Sequence, residues 1–125
     1  MATSVKDMMA AANAAVRRLT PGETRDMIDK GALVVDVRDA AEVAASGKIK
    51  GAVAVSRGLL EFRADPDAPT HHPAFQKDRP VVLYCGSGGR AALAGKTLQE
   101  MGFQSVYNGG GFKELAEAGL GTEPA

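Results

Sequence analysis

The sequence predicts an α/β domain with a mainly parallel central sheet flanked by helices and an extra helix at the N-terminus. Three observations lead there. Two short, valine-rich apolar runs, ALVVDV at 32–37 and VVLY at 81–84, read as strands buried on both faces. Segments with helical spacing and capping signals lie between and after these runs. Strands alternating with helices need crossover connections, and such connections make neighbouring strands parallel. At 125 residues, 45% of them hydrophobic, the chain suits one compact domain that buries roughly two-thirds of its unfolded surface.

The elements follow in order. Val5, Met8, Met9, Ala12, Ala15, Val16 and Leu19 recur at helical spacing, with Ser4 as N-cap and Asp7 three positions on. The apolar run 8–16 is a poor signal-peptide core, because Lys6 stands alone before it, Asp7 follows, and Asn13 interrupts it. Residues 1–19 are therefore an amphipathic helix, which can pack on the domain, pair with a second copy in a homodimer, or touch a membrane surface; packing on the domain is the expectation. Residues 20–125 form the domain itself. Thr20-Pro21-Gly22-Glu23 opens a helix that stops at Gly31. The strand at 32–37 carries Asp36, Arg38 and Asp39 at its C-terminal end, a short helix over 40–46 ends at Gly47, and a weaker strand follows at 52–55. Residues 61–80 are polar, hold four prolines and show no periodicity, which predicts a long surface loop with a helical turn at Phe75. That loop leads into the strand at 81–84 and is a candidate cover for whatever the strand delivers. Ala91, Ala94, Leu98 and Met101 then mark one face of a helix ending at Gly102. A strand at 105–107, a tight turn at Gly109-Gly110-Gly111 and a helix at 112–118 complete the domain.

Charge excludes several function classes. Fifteen basic residues balance fifteen acidic ones, so no global field draws the molecule to nucleic acid or an anionic membrane. No stretch is long enough to span a bilayer. A single cysteine excludes an intramolecular disulfide and suits a reducing compartment, so a cytoplasmic location is expected. His71 and His72 are adjacent in a polar loop without a nearby cysteine, which is poor ligand geometry; neither a metal nor a cofactor is expected, and the two rings should face solvent.

The chemistry concentrates at Cys85, which follows the second strand and opens the loop Cys85-Gly86-Ser87-Gly88-Gly89-Arg90. Ligands of open parallel sheets bind at the carboxyl ends of strands. Three glycines let the backbone curl so that N–H groups point inward at one anion, and the following helix adds its positive end. Such a cradle stabilises a thiolate, and equally a persulfide anion. Arg90 either faces the ligand or ties the loop to a carboxylate such as Asp36. A lone cysteine is often buried and inert. A cysteine between a hydrophobic strand and a helix, embedded in Gly-Ser-Gly-Gly-Arg, is a much rarer combination and points to a reactive thiol.

These segments together resemble the single-domain rhodaneses, a sulfurtransferase family. Asp36-Val37-Arg38 with Glu42 is similar to the family's strand-end motif, Gly47-Lys48-Ile49-Lys50-Gly51-Ala52 to its Gly-His-Ile-Pro-Gly-Ala segment, and the Cys85 loop to its active-site loop. Asn108-Gly109-Gly110-Gly111-Phe112 and Ala118-Gly119-Leu120 resemble its closing elements. The likeness covers residues 20–122 and leaves the first helix aside. Lys48 and Lys50 replace the usual histidine and proline, Leu115 replaces a frequent tryptophan, and Cys-Gly-Ser-Gly also resembles the start of the mercaptopyruvate sulfurtransferase loop, which leaves the donor open.

The resemblance implies a rhodanese-like fold and a Cys85 thiolate that takes the outer sulfur of a small anionic donor such as thiosulfate. The resulting persulfide passes to cyanide or a thiol, on a small molecule or on a protein persulfide partner. Gly86, Ser87, Gly88, Gly89 and Arg90 would hold the persulfide, Arg57 and Arg63 would steer the dianion, and Asp36, Arg38 and Glu42 would form a supporting polar network. A cysteine phosphatase or arsenate reductase is the enzymatic rival, but those place five residues between cysteine and arginine, against four here. A noncatalytic rhodanese-like module for protein binding or redox sensing is the other alternative.

Overall fold

The computed structural model describes residues 2–125. Helix α1 (Val5–Ala15) starts with a capping box in which the Ser4 hydroxyl accepts from the Asp7 N–H and the Asp7 carboxylate from the Ser4 N–H. A two-residue strand, β1 (Arg17–Arg18), follows, and then α2 (Pro21–Asp29), whose Thr20–Glu23 capping box was legible in the sequence. The chain continues through β2 (Leu33–Asp36), α3 (Ala40–Ser46), β3 (Lys48–Ile49) and β4 (Val53–Ala54). A 3-10 turn at Arg57–Leu59 runs into α4 (Leu60–Ala64), and β5 (Val81–Cys85), α5 (Gly89–Glu100), β6 (Val106–Gly111), α6 (Phe112–Glu117) and β7 (Thr122–Glu123) complete the chain.

The main sheet has five strands in the order β1-β6-β5-β2-β4, all parallel; β3 and β7 pair as a separate antiparallel ribbon. This is the predicted α/β class with its mainly parallel sheet. Because side chains alternate along a strand, β5 sends Val81, Leu83 and Cys85 to one face and Val82 and Tyr84 to the other. The first face packs against Ala91, Ala94 and Leu98 of α5 and Leu60 of α4; Tyr84 meets Leu115 of α6 and Ile49. With both faces covered, β2 and β5 read as continuous apolar runs rather than as alternating ones.

Helix α1 packs on α5. At Gly95 a Cβ would lie 2.9 Å from a methyl of Val16, the residue after α1, so the glycine lets the N-terminal segment reach the helix backbone. Ala12 and Val16 are buried, while Val5 stays exposed; Leu19 is buried on the other face of the sheet, with Ala32 and Val82.

Several local expectations change. The glycines at 109–111 do not form a tight turn but continue β6, with a register shift: Leu83 pairs with Asn108 and Tyr84 with Gly110, leaving Gly109 as the extra residue of a bulge. The start of the 61–80 segment is helical, because Leu60 and Ala64 are buried as the inward positions of α4. The rest of that segment lies at the amino ends of the strands, away from Cys85: Pro80 accepts from the Leu33 N–H, Lys77 from the Gln104 N–H, and Phe75 meets Phe103 edge-on. It does not cover the cysteine. His71 and His72 are half-buried rather than solvent-facing, since each ring bonds backbone within its own turn, to the Phe75 carbonyl and the Ala74 N–H.

Candidate active site

Strand β5 ends on Cys85, and α5 begins four residues later, so the intervening loop sits over the carboxyl end of the sheet. Gly86 and Ser87 are exposed, whereas Cys85 is only 1% exposed. The Gly88 N–H donates to the Cys85 sulfur at 3.0 Å. This bond requires Gly88 at φ 107°, ψ −12°, a left-handed conformation open to glycine and strained for other residues. The loop therefore presents a backbone donor, and the positive end of a twelve-residue helix, to the sulfur.

Arg90 anchors the loop to α3, donating through both terminal nitrogens to Glu42 at 2.6 and 3.1 Å. The tie to Asp36 allowed for in the sequence is not made, because Asp36 is already taken. The Arg90 hydrogen bonds hold the Glu42 carboxyl down to about 2, well under its ordinary 4.5, and the same contacts push Arg90 up. Glu42 thus stays ionised across the neutral range, keeping the loop clamp closed.

Beneath it, at the end of β2, Asp36 and Arg38 form a buried ion pair. Arg38 donates to both Asp36 carboxylate oxygens, with Nη2 to Oδ2 at 2.7 Å, and also to the Ser46 hydroxyl and the Gly47 carbonyl; its guanidinium lies 4.4 Å over the Phe112 ring. Burial works against the Arg38 charge, but the hydrogen bonds and charge of Asp36 outweigh it and raise its pKa. With every strong donor satisfied the pair is tolerated inside, and it fixes the strand end beside Cys85. Asp36 and Arg38 thus pair with each other at the strand end, and Glu42 pairs with Arg90 at the start of α5.

Arg57 is not at this site. It starts the turn into α4, where Glu61 one helical turn on captures it at 2.9 Å and Thr97 accepts a second bond at 3.1 Å, so it lines the groove between α1 and α5 instead. Arg63 lines a separate hollow with Arg38 and Leu59.

Two residues at the loop were not singled out in the sequence. Asn108 is buried in β6, donates to the Gly88 carbonyl at 2.9 Å and accepts from the Gly110 N–H at 2.8 Å. A polar residue inside an apolar strand beside the glycine run was the available signal. Arg18, on β1, donates to the Ser87 carbonyl at 3.3 Å and lies 3.5 Å from Glu114. With Gly86, Ser87, Gly111 and Lys113 it lines a cleft of about 520 Å³ beside the loop. Nothing local in the sequence marked Arg18, since only the pairing of β1 with β6 brings it there.

Among the described residues, no group of His, Cys, Asp and Glu is arranged to hold a metal ion, and no helix is long and apolar enough to cross a membrane.

Comparison with known proteins agrees with this geometry. The family model of the rhodanese-like domain matches residues 20–118. A solved structure of a Rhodopseudomonas palustris protein of unknown function, named a possible tyrosine phosphatase, is 37% identical with a TM-score of 0.87, covering 98% of this chain and 96% of that one. The homodimeric polysulfide-sulfur transferase of Wolinella succinogenes is 35% identical with a TM-score of 0.75, covering 96% and 87%. A thiosulfate sulfurtransferase GlpE from Ectopseudomonas mendocina is 30% identical over 109 residues, 87% of this chain and 92% of that protein. The chain spans only 28% of the tRNA uridine(34) hydroxylase of Agrobacterium fabrum, to which it is 34% identical over 91 residues. A cysteine at the end of the third strand of a parallel five-stranded sheet, its sulfur met by the loop backbone, and a family match across most of the chain lead to one conclusion: the chain belongs to the rhodanese-like domain family.

Proposed function

We propose that the chain is a thiosulfate-type sulfurtransferase that carries sulfane sulfur on Cys85. The observation that carries this reading is the Gly88 N–H aimed at the Cys85 sulfur from the start of α5. The Cys85 thiolate attacks the outer sulfur of an anionic donor such as thiosulfate; a new S–S bond forms as the old one breaks, and sulfite leaves with the bonding pair. The Cys85 persulfide anion remains beside the Gly88 N–H and the positive end of α5, which stabilise it and the charge developing during transfer. Cyanide or a thiolate then attacks the outer sulfur, taking it as thiocyanate or a new persulfide and returning the Cys85 thiolate. With no second cysteine in the chain, the acceptor is a separate molecule.

Support comes from the loop's length, four residues between Cys85 and Arg90, and from relatives named as sulfurtransferases. The test is intact mass after incubation with thiosulfate, followed by cyanide. The expected result is one added sulfur, its loss as thiocyanate, and no loading in Cys85→Ser, which should remain folded. An unmodified mass with phosphate released from an aryl phosphate would favour the phosphatase reading. Neither activity, with tight capture of a protein, would favour a binding module.

A further inference from the structure

We infer that Arg18, from the segment preceding the family domain, is a positioning residue of the sulfur site: it orients the Ser87–Gly88 peptide so that its N–H faces Cys85. The inference rests on the sulfur-carrier reading of Cys85 for its functional meaning, though not for its geometry.

One rigid peptide unit links the two contacts. Its carbonyl, on Ser87, accepts from Arg18 Nη1 at 3.3 Å; its N–H, on Gly88, donates to the Cys85 sulfur at 3.0 Å. A trans peptide is planar, with C=O and N–H pointing in opposite directions, and among the described residues no peptide is cis. Holding the oxygen from outside therefore aims the hydrogen inward. Charge on the carbonyl side also polarises the amide and strengthens its N–H as a donor to an anion.

The approach is built into the backbone. Arg18 pairs with Asn108 in parallel register, and the Leu19 N–H donates to the Asn108 carbonyl at 2.8 Å, so β1 holds Arg18 beside the loop while Asn108 secures the next carbonyl, that of Gly88. A Cβ on Gly88 would lie 2.5 Å from Arg18 Nη1, so the contact needs a glycine there. Among the described residues Arg18 makes one ion pair, with Glu114, which is long and half-exposed and contributes little. Arg17, its neighbour on β1, pairs with Glu23 instead and serves as a control.

The experiment compares Arg18→Ala, Arg18→Lys and Arg17→Ala by two readouts: hydrogen exchange of the Gly88 amide by NMR, and kcat and KM with thiosulfate and cyanide. Arg18→Ala should speed Gly88 exchange and lower kcat, each by about three- to ten-fold, with KM moving less and the melting temperature nearly unchanged. Arg18→Lys should recover part of both, and Arg17→Ala should match the wild type. Wild-type exchange and kcat in Arg18→Ala, or an equal loss in Arg17→Ala, overturn the inference. If the wild type takes no sulfur but Arg18→Ala still speeds Gly88 exchange, the sulfurtransferase reading falls and the positioning role stands.

Discussion

Replacing Gly88 with alanine separates a structural glycine from a merely convenient one. At φ 107° a side chain is strained by about 1–3 kcal/mol. The new Cβ would also lie 2.5 Å from Arg18 Nη1 and 3.1 Å from its Cζ, so the guanidinium must withdraw and give up the Ser87 carbonyl, a further loss of about 1 kcal/mol. Together these predict a destabilisation of about 2–4 kcal/mol, which for a chain of this size lowers the melting temperature by roughly 8–16 °C. Sulfur loading should slow at least about ten-fold, because the Gly88 N–H is the donor to the sulfur. Gly86→Ala is the matched control. Gly86 has no positive φ, and its Cβ would meet the movable end of Arg90 at 3.1 Å and Glu42 Oε2 at an ordinary 3.9 Å, so its cost should stay under about 1 kcal/mol. Urea unfolding and a time course of thiosulfate loading by intact mass measure both variants. Wild-type stability and loading in Gly88→Ala, or equal damage in Gly86→Ala, would refute the argument.

Other outcomes follow from the clamps. The Glu42 carboxyl is lowered to about 2 from 4.5, so its contribution to stability is fully present above pH 4.5 and is lost as the pH falls through about 2. Both side chains of the pair are more than a third exposed, so water screens it and Glu42→Gln should cost only about 1 kcal/mol at neutral pH. The variant should also flatten the acid limb of a plot of unfolding free energy against pH; unchanged slopes would remove the clamp from the account. Asn108→Asp keeps the shape and the acceptor for Gly110 but replaces the donor to the Gly88 carbonyl with an acceptor. It should destabilise the fold by about 1–3 kcal/mol and slow loading, and a variant that melts and loads like the wild type would show that Asn108 does not hold the loop.

What the sequence revealed depended on whether the determinants were local. The Cys85 loop was legible because a buried strand, a glycine-rich turn and a helix start lie consecutively, and the α2 cap because Thr20 and Glu23 sit three apart. Asp36, Arg38 and Glu42 stand near the strand end by their sequence positions, but their pairings were not legible: which carboxylate takes which arginine depends on how α3 folds back over the strand ends. Arg57 was misplaced because its partner Glu61 stands one turn away only if residues 60–64 are helical, and the prolines nearby argued for a loop. The glycines at 109–111 had the composition of a turn, but pairing along β5 draws them into a bulged strand. Strands β1 and β7 are two residues each and largely exposed, so no hydrophobic pattern marks them; backbone pairing alone creates them.

The docking of residues 5–19 bears on how the domain can be cut or fused. The family match begins at residue 20, yet β1 is the outermost strand beside β6. A chain trimmed to the match would leave β6, rich in glycine and low in charge, with an open row of N–H and C=O groups facing solvent, and would uncover the methyl-sized gap at Gly95 where Val16 sits. Such an edge is a template for pairing with other chains, so the trimmed protein should self-associate even where Cys85 is intact. A boundary drawn from sequence similarity alone would thus cut through a mechanical unit, and a fusion partner is better joined ahead of Ser4 than at Thr20.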